Sequence, residues 1–192
     1  MSFYPESICD VLEHLRHCDS LAADADFTSS DFTCGSFVRF SLSIDPATGK
    51  IIGIGFKSNC CGYGIAGAEI LARELSGRSL EELGGLKKAA LAEILFSRLQ
   101  ELPRDRVHCG QTAIEALKGV FAEYRRRQLA SYDGEDPLIC SCFGVSEAAI
   151  IEKVSRYGLS SVEEVAQVCR AGLGCGSCRM LIQEIIDELS AP

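Results

Sequence analysis

Along the first third of the chain the spacing of hydrophobic positions changes period twice. Over residues 3–18, Ile8, Val11, Leu12 and Leu15 recur at helical spacing, which predicts an amphipathic helix with those four on one face. Residues 19–33 are polar and predict a loop, with a short strand near Phe32. The run FVRFSLSID then alternates, with Val38, Phe40, Leu42 and Ile44 on one face. PATGK turns the chain, and IIGIGFK alternates again with Ile52, Ile54 and Phe56 on one face. Two alternating runs about such a turn predict a β-hairpin, whose apolar face needs a helical layer to cover it. Helices are predicted over YGIAGAEILARELSG from Tyr63, with Gly77 as the stop, and over KKAALAEILFSRLQEL, broken by Pro103. A last one runs from about Cys109 to Gln128. Ser79 and Glu82 stand at capping-box spacing.

The stretch LASYDGEDP, residues 129–137, is polar and reads as a linker. Beyond it, helices are predicted over 146–157, 161–169 and 177–189, with Ser161 and Glu164 again at capping-box spacing. Charge shifts at the same place: residues 1–128 carry net −2 and residues 129–192 net −6. The expected organisation is therefore an α+β domain over 1–128, in which helices pack a small antiparallel sheet, a linker over 129–137, and a small all-α domain over 138–192.

Composition narrows the function. A net charge of −8 argues against a general nucleic-acid binder, which needs clustered Lys and Arg to release counterions. No apolar run approaches the roughly 20 residues of a membrane span. The start, MSFYPESICDVLEHLRHCDS, lacks the basic, apolar and small-residue segments of a signal peptide, so a cytoplasmic, reducing location is expected. Eleven cysteines in such a place point to metal or sulfur chemistry.

Cys140 and Cys142, then Cys175 and Cys178, form a C-x-C and a C-x-x-C pair. Four thiolates suit tetrahedral zinc or a [2Fe–2S] cluster. Two pairs match two irons, and C-x-C is less usual for zinc, so the spacing favours iron–sulfur. Gly172, Gly174 and Gly176 let backbone N–H groups approach sulfur. Cys34, Cys61 and Cys109 stand at predicted junctions, where N–H groups and helix dipoles favour thiolate. Three such thiolates suit a labile cluster or a transferable sulfur; the competing reading is three unrelated small hydrophobes.

The stretch ICSCFGVSEAAIIEKV…GLGCGSCRMLIQEII resembles the bacterioferritin-associated-ferredoxin-like (BFD-like) [2Fe–2S] domain over residues 138–187. That resemblance implies a small helical domain in which Cys140, Cys142, Cys175 and Cys178 hold a permanent, redox-active [2Fe–2S] cluster. FKSNCCGYGIAGAEILARELSGRSLEEL and LPRDRVHCGQTAIEALKGVFAEY resemble the NifU/IscU-type iron–sulfur scaffold over about residues 3–126. This second resemblance implies that Cys34, Cys61 and Cys109 hold a nascent [2Fe–2S] cluster, that His108 is a neighbouring ligand in some metal-bound forms, and that Cys109 accepts persulfide sulfur. It implies a cysteine desulfurase and apo iron–sulfur proteins as partners, and a homodimer is the expected assembly. The permanent cluster would supply electrons for reducing persulfide. Scaffold plus permanent cluster is the NifU arrangement, whose longer members carry a third, C-terminal domain.

Two positions depart from the scaffold pattern. Ser36 stands where the family's Cys-Gly-Asp motif has Asp, and Cys60 stands where Gly commonly precedes the second Cys. Cys60, His108 or Ser36 is then the candidate fourth ligand, and Cys60 pointing into the core is the competing reading. Leu102-Pro103-Arg104-Asp105-Arg106 replaces the more apolar segment to which a dedicated Hsp70-type chaperone binds, which argues against that partner. Arg106 is expected to lower the pKa of Cys109. Cys9, Cys18 and Cys169 are expected to pack as small hydrophobes, His14 and His17 to lie on the surface, and Arg125, Arg126 and Arg127 to form a solvated helix end. Two rival functions follow: a zinc-bound sulfur-transfer protein, and a redox carrier or sensor whose first site holds its cluster permanently.

Overall fold

The computed structural model describes residues 3–19, 21–83, 88–99 and 102–190. Ser20, Lys87, Gln100 and Glu101, on which parts of the predicted elements fall, lie outside those residues. The chain divides into two compact units: Met1–Asp45, Ile51–Gly77 and Lys87–Tyr124 form the first, and Pro46–Lys50, Arg78–Leu86 and Arg125–Pro192 the second.

The first unit is built on a three-stranded antiparallel sheet. Its order is β1 (Ala25–Asp31), β2 (Ser36–Ile44), β3 (Ile51–Ser58). The alternation read along β2 holds: Val38, Phe40, Leu42 and Ile44 are all buried. Phe40 faces Phe56 and Leu42 faces Ile54 across β2 and β3, so the core face is continuous. The alternation read along β3 needs one correction. Ile44 pairs with Ile51 but Ser43 pairs with Gly53, so Ile52 is the extra residue of a β-bulge. The bulge reverses the faces at that end: Ile51 is 2% exposed and Ile52 is 71% exposed.

The residues read as a loop before Phe32 instead form β1, which pairs with β2 along its whole length. Only Ala25 of β1 is buried, so an edge strand of this kind carries no hydrophobic alternation to detect. Helix α1 (Glu6–Glu13) is shorter than predicted, because Pro5 starts it and His14 leaves helical geometry. Cys18 therefore lies outside the helix, exposed. The segment after α1 is held by buried Glu69 of α2 (Gly62–Leu75). The Glu69 carboxylate accepts from the Arg16 and His17 amides (both 3.0 Å), His17 Nδ1 (3.1 Å) and Arg73 Nε (2.7 Å). Helix α2 also packs on β3, on α1 and on α3 (Lys88–Leu99). After a single 3-10 turn at Arg104–Arg106, α4 runs from Val107 to Ser131, three residues past Gln128.

In the second unit a short ladder, β4 (Leu138–Cys140) with β5 (Val145–Ser146), precedes three helices. These are α5 (Glu147–Tyr157), α6 (Val162–Cys169) and α7 (Arg179–Ser190). Ile150, Val154, Val165, Ala166, Ile182 and Ile186 are buried there. The Ser161–Glu164 capping box forms, with both reciprocal bonds present. Ser79 and Glu82 exchange the same pair of bonds at 2.9 and 3.2 Å. Arg170 ends α6 in the left-handed region (φ 66°), a conformation that costs a residue with a Cβ about 1–2 kcal/mol. Its guanidinium offsets that cost: it stacks over Phe143 at 4.4 Å, pairs with Glu81 at 2.6 Å and donates to the carbonyls of Ala47 and Thr48.

Candidate metal and iron–sulfur sites

Cys34 lies in the turn between β1 and β2, Cys61 is the N-cap of α2, and Cys109 is in the first turn of α4. Cys61 Sγ lies 3.5 Å from Cys109 Sγ, and Cys109 Sγ lies 3.4 Å from His108 Nε2. His108 also reaches the turn: ligand atoms of Asp31, Cys34 and His108 all lie within 4.8 Å of one another. The imidazole is thus near sulfurs from two elements. Asn59 fixes the turn to the end of β3, accepting from the Phe37 amide (2.7 Å) and donating to the Gly35 carbonyl (3.2 Å).

Ser36 Oγ is 3.0 Å from Cys34 Sγ. Cys60 is buried; its thiol donates to the Phe37 carbonyl at 3.4 Å. It packs on Gly64 so closely that a Cβ there would lie 2.5 Å from Cys60 Cβ. Gly64 is required at that position by this approach. Asp31 was not among the candidates read from the sequence. The register that sets it opposite Ser36 is not visible in a linear pattern.

The thiol of Cys109 does not have the depressed pKa that its helix N-terminus and Arg106 suggest. Burial, the hydrogen bond with Cys61 and the nearby charges of Cys61, Cys60 and Cys34 push it up to about 12. Arg106 instead lies 3.4 Å from the Asp105 carboxylate. Metal ions favour thiolate by replacing the proton, so binding at Cys109 releases one.

In the second unit, contacts run from Cys178 to Cys140, from Cys140 to Cys142 and from Cys142 to Cys175. Hydrogen bonds from Cys142 and Cys178 pull the Cys140 thiol down to about 2, assisted by the Gly172 and Phe143 amides. Cys142 and Cys178 are pushed up, first by their bonds to Cys140. Burial opposes ionisation of Cys175, but Ser177, its hydroxyl 2.9 Å away, and Cys142 hold its pKa below the usual value. Arg125 adds to this from a distance, a role beyond the solvated helix end expected of it. A Cβ at Gly174 would lie 2.7 Å from Cys142 Cβ, so only glycine allows the loop this close. The donor set fits a [2Fe–2S] cluster: four sulfurs in one line of contact, one of them with its pKa held low by thiol and amide hydrogen bonds.

The comparisons with known proteins agree on a family. Residues 3–131 match the NifU-like N terminal domain and residues 138–188 the BFD-like [2Fe-2S] binding domain. The nitrogen fixation protein NifU of Azotobacter chroococcum mcd 1 is 30% identical over 83% of this chain and 50% of its own length. That of Trichormus azollae is 33% identical over 81% of this chain and 51% of its own length. The iron-sulfur cluster assembly scaffold protein IscU of Haemophilus influenzae is 31% identical over 65% of this chain and 98% of its own length. The chain thus spans about half the length of the NifU relatives it matches. The crystal structure of a nitrogen-fixing NifU-like protein (N-terminal) from Brucella abortus covers 64% of this chain and 94% of its own, with a TM-score of 0.51 at 16% identity, and shows the same fold. Among the described residues no helix is long and apolar enough to cross a membrane.

Proposed function

Since the chain belongs to the NifU-like family, with the N-terminal domain of that family over residues 3–131, we propose that it is a scaffold on which a transient [2Fe–2S] cluster is assembled and from which it is passed on. The observation that carries this reading is the meeting of Cys61, Cys109 and His108 at 3.5 and 3.4 Å, with Cys34 alongside His108. Sulfur and iron are the substrates of that site. Its ligands come from a turn and two helix N-termini, positions that rearrange more readily than the middle of an element.

Sulfur arrives as the persulfide of a cysteine desulfurase. Cys109 attacks its outer sulfur, the S–S bond breaks, and the desulfurase cysteine leaves as thiolate. Cys109 must first lose its proton, and His108 Nε2 at 3.4 Å is placed to take it. Cys109 is only 2% exposed, so transfer also needs the start of α4 to open. Recipients are apo iron–sulfur proteins. The working form is a cytoplasmic homodimer, organised as a scaffold domain (1–128), a linker (129–137) and a BFD-like domain (138–192).

Cys140, Cys142, Cys175 and Cys178 would hold the resident [2Fe–2S] cluster. Bound there, it supplies one-electron redox chemistry. The chain's own part is to keep Cys140 ionised, to aim the Gly172 and Phe143 amides at its sulfur, and to bury three of the four ligands.

Iron and acid-labile sulfide per chain test the reading. They are measured on anaerobically purified protein, again after reconstitution with a desulfurase, and again after a chelator. The expected result is about two irons that survive chelation, and about two more that are gained and then lost or handed to an apo-ferredoxin. Four irons that all resist the chelator and are not donated would overturn it in favour of a carrier or sensor. Zinc retained at the first site, with no iron gained there on reconstitution, would favour sulfur transfer.

A further inference from the structure

Ser36 offers only a neutral hydroxyl to the first site, at 3.0 Å from Cys34 Sγ. Across the ladder, the register sets Asp31 directly opposite Ser36. Asp31 is the last residue of β1, and the chain turns back through Phe32, Thr33, Cys34 and Gly35, closed by the Gly35 amide on the Asp31 carbonyl at 2.9 Å. Its carboxylate, Cys34 Sγ and a ring nitrogen of His108 lie within 4.8 Å of one another. Among the described residues this is the group of three ligand-type side chains drawn together that tightly. The carboxylate is also held in place: the Thr33 amide (2.8 Å) and Thr33 hydroxyl (2.5 Å) both donate to Asp31 Oδ1.

We propose that Asp31 is the carboxylate ligand of the first metal site, reaching it from β1 and supplying the anionic oxygen that Ser36 lacks. The inference rests on the scaffold reading of Cys34, Cys61 and Cys109 and deepens it. The resulting donor set mixes soft sulfurs, one imidazole nitrogen and one hard oxygen. Iron in a sulfide cluster prefers soft donors, so the oxygen is the ligand that exchanges first. Placed in an exposed turn next to Cys34, which is itself exposed, it sits where a recipient's thiol can replace it.

Zn²⁺ serves as the probe, because it takes sulfur, nitrogen and oxygen donors without needing sulfide. The metal-free full chain is titrated against a chromophoric chelator, and the binding step that Cys109→Ser abolishes is assigned to the first site. Asp31→Asn keeps an oxygen for Thr33 to bond, so the turn is retained while the charge is removed. The expected result is a fall of about tenfold or more in Zn²⁺ affinity at that step, with the other step unchanged. Co²⁺ in place of Zn²⁺ should keep its thiolate charge-transfer bands in Asp31→Asn, since the sulfurs remain. Adding Ser36→Asp to Asp31→Asn should recover most of the affinity.

Unchanged Zn²⁺ affinity in Asp31→Asn overturns the role of Asp31 and leaves the scaffold reading intact. So does a loss that Ser36→Asp fails to recover. A wild-type chain with no Cys109-dependent step overturns both.

Discussion

Glu69 accepts four hydrogen bonds in a position with no solvent exposure, and two of its donors are backbone amides of the segment leaving α1. Burial alone would raise its pKa, but Arg73, His17 and the two amides outweigh burial and hold it below the usual carboxylate range. The stability it contributes is therefore complete above the unfolded-state pKa and is lost as pH falls through the lower folded value. Glu69→Gln should destabilise the first unit by about 2–3 kcal/mol at neutral pH, measured by urea unfolding. The variant should also lose less stability than wild type between neutral pH and acid. Equal acid sensitivity in the two proteins would show that the four bonds do not favour the ionised form. Nothing in the sequence marks Glu69 for this role. An acidic residue in a helix that also carries Arg73 and Glu74 reads as surface until the chain before β1 is seen to fold over it.

At the level of elements, legibility followed the strength of the hydrophobic period. The β2–β3 hairpin and the three helices of the second unit could be read directly, because each presents several apolar residues to one core. Strand β1 could not, since it buries only Ala25 and is recruited by pairing with β2 rather than by its own side chains. The bulge at Ile52 was equally hidden: register is a property of two strands together. The first miss bears on the first site, because the β1–β2 register sets Asp31 opposite Ser36 and so beside Cys34. The junction positions of Cys34, Cys61 and Cys109 were legible because element ends are marked by turn residues. The bulge makes a sharp prediction. Ile52→Asp should change stability by less than about 0.5 kcal/mol, as exposed positions do. Ile54→Asp, one bulge away on the buried face, should unfold the unit or cost more than about 3 kcal/mol. Thermal unfolding of the two variants side by side decides it, and similar effects would mean that the strand has the other register.

Taken whole, the chain carries two sulfur-rich sites in contrasting electrostatic settings. In the second, hydrogen bonds hold the Cys140 pKa well below the ordinary thiol value, and three of the four cysteines are buried. In the first, burial and the neighbouring thiols push the Cys109 pKa up to about 12. That contrast was only half visible beforehand, because spacing reports which cysteines meet but not how deeply they are buried. The 3.5 Å between Cys61 and Cys109 has a consequence of a different kind. A disulfide needs its sulfurs about 2.05 Å apart, so these two have little distance left to close. In the metal-free protein a peroxide would take one hydrogen from each thiol, leave as water, and tie the N-cap of α2 to the first turn of α4. Peroxide treatment followed by alkylation and mass mapping should find Cys61 and Cys109 joined, and prior loading with Zn²⁺ should prevent it. An empty first site would then be open to oxidative damage, and a bound metal would act as its protecting group.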